Sequence, residues 1–220
     1  MNNTVEVLRG LFNYKYYTYK LRDAEHVPGI WKNTILLTIL SGLVFGISAY
    51  FGIGSEYLSK ELTSIPREEY EMQKLLFMAG QTILGLVFGI IMIFLPALFF
   101  WTLSDLELKK LLAVQIFVLP ILLFEKLIGI PLALTLGLTQ VSSPFALGTI
   151  AQYITGNDFI IYLLATISIF KVWVIFIEYM YLKMLTGKKT AIILLMVIGF
   201  NLVIWLFSAL ISFVQFDKIL

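Results

Sequence analysis

The chain has 220 residues, 60% hydrophobic and only 14% charged, with a mean hydropathy of +0.92 and a formal net charge of +2. That balance excludes an ordinary soluble domain and leaves no electrostatic footprint for nucleic acid. With no cysteine and one histidine, His26, disulfides, thiolate chemistry and histidine-cluster metal sites are excluded as well.

Residues 1–32 form a polar and aromatic segment expected on the cytoplasmic side, with His26 a surface residue just before the first span. Its core, "LRGLFNYKYYTYKLRD", interleaves tyrosines with basic residues. Rings and cations together favour the headgroup zone of an anionic leaflet, so the segment reads as an interfacial anchor, a docking surface for a partner, or both. It lacks the basic start and short apolar core of a secretory signal peptide, so removal by cleavage is not expected.

Residues 33–215 read as an all-α, polytopic bundle, because a membrane crossing needs about 20 predominantly apolar residues and five runs qualify. They are 33–53, 75–103, 111–138, 159–182 and 190–214. The pentapeptide "GLVFG" stands in the first two, at Gly42 to Gly46 and at Gly85 to Gly89. Each is a G-x-x-x-G, which lets helix backbones approach closely where lipid supplies no hydrophobic drive for association. Each lies near the middle of its helix, so the faces can pack against each other or against a partner.

Between these runs, Ser64 and Pro66 read as a helix start, whose positive end Glu68, Glu69 and Glu71 complement. "SDLE", Ser104 to Glu107, reads as a capping box opening the third helix. In the loop after the third run, Ser143 as cap, Pro144 as first residue and Gly156 as stop predict a short helix lying at the outer surface. Gly187 is placed to end the fourth helix.

Orientation follows from the basic residues outside the spans. Ten fall on one side: Arg9, Lys15, Lys20, Arg22, Lys32, Lys109, Lys110, Lys183, Lys188 and Lys189. Four fall on the other: Lys60, Arg67, Lys74 and Lys218. The positive-inside rule then places the N-terminus in the cytoplasm and the C-terminus outside.

The remaining charges lie inside spans, where ionisable groups are costly and are usually paired, wetted or functional. The third span carries Glu125 and Lys126, with Pro120 and Pro131 to either side; the fourth carries Lys171 and Glu178. Glu125 is about 24 Å outward of Lys109, and Lys171 about 18 Å outward of Lys183, by the helix rise. Depth therefore pairs Glu125 with Lys171, sends Lys126 toward the outer headgroups, and leaves Glu178 to meet Lys183 or water. These charges can be a structural ion pair, part of a proton or ion pathway, or a contact with a partner's membrane helix. No catalytic motif occurs: "SIPREEYEMQK" has adjacent glutamates outside the spans, and neither a Gly-x-Ser-x-Gly nor a phosphate-binding loop is present. No enzymatic activity, catalytic residue, bound metal or cofactor is expected.

The stretch "GNDFIIYLLATISIFKVWVIFIEYMYLKMLTGKKTAIILL", Gly156 to Leu195, resembles the Ypt-interacting protein (Yip) family. The likeness lies in the aromatic-rich fourth span, the Gly-Lys-Lys turn into the fifth, and the five-span layout, over about residues 30–215. The long cytoplasmic domain of eukaryotic members, with its Gly-Pro signature, is missing, so their GTPase and vesicle-traffic roles do not carry over. The resemblance implies a multi-pass protein of a bacterial plasma membrane, similar to the YknW-like branch that accompanies an ABC-type efflux complex. On this reading the chain is a non-enzymatic accessory or scaffold subunit, its partners being the lipid bilayer, ABC-type transporter subunits, or a second copy of itself. The alternative is a small transporter or ion conduit using Glu125, Lys171 and Glu178, with the prolines breaking helices near a midplane site.

Overall fold

A computed structural model of the chain describes residues 7–24, 27–55, 66–139 and 141–214. His26, Lys60, Ser64 and Lys218 lie outside the described residues. Among those described there are nine helices and no strand: α1 (Val7–Phe12), α2 (Tyr14–Arg22), α3 (Ile30–Tyr50), α4 (Arg67–Leu103), α5 (Leu108–Leu136), α6 (Gly148–Ile154), α7 (Asp158–Ala165), α8 (Ile169–Leu185) and α9 (Thr190–Val214). Four of these, α3, α4, α5 and α9, are long and apolar enough to cross a membrane.

The fourth predicted span is not one helix. It is broken at Thr166 to Ser168, between α7 and α8. The cause is local hydroxyl chemistry, which offers the backbone an alternative to the helical ladder. The Thr166 hydroxyl donates to the Leu163 carbonyl at 2.7 Å and closes α7, while Ser168 Oγ accepts from Lys171 N–H at 3.3 Å and caps α8. The freed backbone pairs with the preceding loop: Leu147 N–H donates to Ile167 O and Ile169 N–H to Phe145 O, both at 3.0 Å. A hydropathy window cannot see this, because two hydroxyls hardly lower the mean of so apolar a run. The 17 residues of α8 give a length of about 26 Å, short of a full crossing taken alone.

Two expected caps also differ. Ser104 closes α4, donating to Phe100 O at 2.7 Å, and Glu107, which precedes α5, gives it no side-chain cap, so the capping box does not form. In the loop after α5 the helix begins at Gly148, not at Pro144. Ser143 Oγ accepts instead from Phe145 N–H, and its carbonyl from the Thr149 hydroxyl, which holds the chain in a turn.

α5 is the hub. From Leu111 to Leu119 every residue is buried, the mark of a helix enclosed on all sides rather than on one stripe. α3 and α4 pack antiparallel along their glycine faces. The Ser41 hydroxyl donates to the Gly85 carbonyl at 2.7 Å, and a Cβ at Gly85 would lie 2.8 Å from the Ser41 carbonyl oxygen and 2.7 Å from Phe45 Cβ. No side chain fits there without moving backbone.

The N-terminal segment packs into the bundle. Gly10 lies directly against the Phe117 ring, where a Cβ would collide, and Tyr17 packs edge-on to Phe117 at 5.3 Å. The Tyr181 hydroxyl donates to the Gly10 carbonyl at 2.8 Å. Tyr17 and Leu21 are buried, whereas Phe12, Tyr16 and Tyr19 face outward. The rings are thus divided between the core and the surface.

Candidate functional site: a polar centre joining three helices

The inner face of α8 carries Phe170, Val174, Ile177, Tyr181 and Leu182, all buried and all apolar or aromatic. Glu178 stands in the same stripe and is 1% exposed. Its two carboxylate oxygens are taken by amides from two other helices. Gln115 of α5 donates from Nε2 to Oε1 at 3.2 Å, and Asn201 of α9 from Nδ2 to Oε2 at 2.8 Å. Asn201 Nδ2 also donates to the Val197 carbonyl at 3.0 Å, which steadies the amide on its own helix. An intramolecular hydrogen bond contributes about 0.5–1.5 kcal/mol net, and an unmet buried polar group costs more, so this centre ties α8 to both α5 and α9. One atom is left over: Gln115 Oε1 is buried without a partner.

Glu178 does not meet Lys183. Five residues apart, they point about 140° from each other around the helix, and Lys183 lies over the Tyr179 ring at 5.4 Å instead.

Glu125 and Lys171 are both half-buried, and they form no ion pair within 4.0 Å. The helices touch at this level through the preceding residues, Phe124 and Phe170, whose rings pack edge-on at 6.0 Å. One residue further on, each charged side chain leaves at about 100° to its ring. Glu125 and Lys171 both lie beside that contact, and they do not close to ion-pair distance. Lys126 does not snorkel outward: its ammonium sits 3.9 Å from the centre of the Phe45 ring on α3. A desolvated cation over an aromatic face gains about 2 kcal/mol, which competes well with a stretched reach for the headgroups.

Gln115 and Asn201 were not among the residues singled out from the sequence, although a signal was available. Each is a lone amide in an apolar run, and Gln115 lies seven residues into α5 as Glu178 lies seven from the end of α8. Antiparallel helices bring those two to one level. Among the described residues, no group of His, Cys, Asp and Glu could hold a metal ion. Comparison of the chain with protein-family models, with curated proteins and with solved structures returns no match.

Proposed function

We propose that this chain is a non-enzymatic subunit of a bacterial plasma membrane that associates with and tunes a membrane complex, an ABC-type exporter being the first candidate. In this reading α8 completes a fifth crossing, with the N-terminus in the cytoplasm and the C-terminus outside. Its antiparallel course along α5, with Phe170 beside Phe124 and Tyr181 stacked on Phe117 at 5.2 Å, supports that course. The observation that carries the functional reading is the closure of Glu178 by Gln115 and Asn201. It commits the most deeply buried charge to holding helices together and leaves the outer faces as the part able to act on a partner. The resemblance of Gly156 to Leu195 to the Yip family supplies the kind of partner.

A second reading, a small transporter or ion conduit, draws on Glu125 and Lys171, which lie close without pairing. Affinity purification in mild detergent, followed by reconstitution, separates the two. An accessory subunit brings exporter subunits with it and changes their ATPase rate when added back. A conduit arrives alone or as a homo-oligomer and moves ions across a liposome membrane unaided, and that result would overturn the proposal.

A further inference from the structure

We propose that the cleft between the start of α3 and the start of α5 binds the headgroup of an anionic phospholipid. The cleft encloses about 440 Å³. Its walls are apolar, from Val27, Pro28 and Ile30 on one side and Leu112 on the other, and two lysines from different helices, Lys32 and Lys109, complete its lining.

These two cations are the available ones. Nearby Lys110 donates to the Arg22 carbonyl at 3.2 Å and lies 3.8 Å from a Glu107 oxygen, and Lys188 lies 3.9 Å from Asp105. Among the described residues neither Lys32 nor Lys109 has a carboxylate within ion-pair distance. Two exposed lysines from different helices converge on one concavity.

Position decides what kind of anion they meet. α3 has 21 residues, a length of about 31 Å, which matches the hydrocarbon thickness of a bilayer. Its first turn therefore lies at the boundary between apolar chains and headgroups. Trp31, exposed at that level, has the amphipathic ring that favours this boundary. The turn is made by Pro28 and by Gly29, whose φ of 83° is a left-handed conformation that other residues rarely adopt, so the cleft is shaped by backbone. Below it, Ile35, Leu36 and Ile39 form an exposed apolar track along α3. A free phosphate ion would find apolar walls unfavourable. An amphiphile fits them: phosphate to Lys32 and Lys109, glycerol region in the cleft, acyl chain along α3. Basic pockets between membrane helices commonly take lipid headgroups in this way.

The test uses the full chain purified in a neutral detergent. Phosphatidylglycerol, phosphatidylcholine and glycerol phosphate are titrated in turn, and binding is read by thermal shift and by native mass spectrometry. The expected result is saturable binding of phosphatidylglycerol in preference to phosphatidylcholine, with glycerol phosphate inactive. The double variant Lys32→Gln/Lys109→Gln should fold with an unchanged melting temperature in lipid-free detergent, since both side chains are exposed. It should bind phosphatidylglycerol about 30-fold more weakly, equivalent to about 2 kcal/mol. Lys15→Gln, which removes an exposed cation from α2 outside the cleft, should keep the preference. Equal binding of the two lipids, or a preference retained by the double variant, would overturn the assignment. Glycerol phosphate binding as tightly as the lipid would replace it with a site for a soluble phosphoryl compound.

Discussion

Glu178 and Asn201, on consecutive helices and 23 residues apart, share a 2.8 Å hydrogen bond with both side chains buried. On the opposite side of the carboxylate the Gln115 contact is longer, 3.2 Å, and its amide carries an unpaired oxygen. The two amides are therefore unequal. Asn201→Leu strands a carboxylate oxygen and should cost about 1–3 kcal/mol. Gln115→Leu also strands an oxygen but removes an orphaned acceptor, so its cost should be smaller. Melting temperatures of the two variants in one detergent check the order, and a larger loss from Gln115→Leu would contradict this account of the centre.

Glu125 and Lys171 should behave differently from a buried ion pair. Since they lie beside the Phe124–Phe170 contact and do not close to ion-pair distance, a double-mutant cycle with Glu125→Gln and Lys171→Met should show a coupling well under 1 kcal/mol. The same cycle with Lys126→Met and Phe45→Leu should show a coupling of about 1–2 kcal/mol, because the cation lies on the ring. Thermal unfolding of the six variants decides both, and a large Glu125–Lys171 coupling would mean that the pair closes in the membrane.

How much of this was legible beforehand depends on the range over which each signal acts. The long apolar runs and the glycine faces could be read directly, because span length and backbone approach are properties of one segment. The break at Thr166 to Ser168 could not, because hydropathy does not register the hydroxyl bonds that close α7 and cap α8, and the freed backbone finds its partners at Phe145 and Leu147 some twenty residues earlier. The partner of Lys126 was missed for a related reason. Residue spacing gives depth along a helix but not which neighbouring helix a side chain faces, and Phe45 lies on α3 at the azimuth of Lys126. Gln115 and Asn201 were passed over because a neutral amide raises no alarm on a charge count.

The glycines of α3 and α4 should not be equivalent. A Cβ at Gly42 would meet the end of a Leu86 side chain at 2.8 Å, which can rotate away, whereas at Gly85 it would meet a backbone oxygen at the same distance. Gly85→Ala should therefore lower the yield of folded protein more than Gly42→Ala does, and size-exclusion profiles after detergent extraction will show it. Gly80 has nothing within 4 Å of a Cβ, so Gly80→Ala serves as a control expected to behave like the parent.

Orientation has its own check. A reporter inserted between Lys188 and Lys189 should be read in the cytoplasm, and one fused after Leu220 outside it, by the asymmetry of ten basic residues against four. A cytoplasmic reading at both positions would mean that α9 does not cross, whereas an outside reading at Lys188–Lys189 with a cytoplasmic C-terminus would mean that α8 does not cross and that α3, α4, α5 and α9 make four crossings.

The hydrogen bond from Tyr181 to Gly10 joins residues 171 positions apart. During synthesis Gly10 leaves the ribosome long before Tyr181 exists, so the cradle formed by Phe117 and Tyr181 is assembled from the later parts of the chain. For most of translation the berth of the N-terminal helices is incomplete, because it closes only once α8 has been made and packed. Residues 7–24 are thus early in the order of manufacture and late in the order of assembly. Docking of that segment therefore requires both α5 and α8 to be in place.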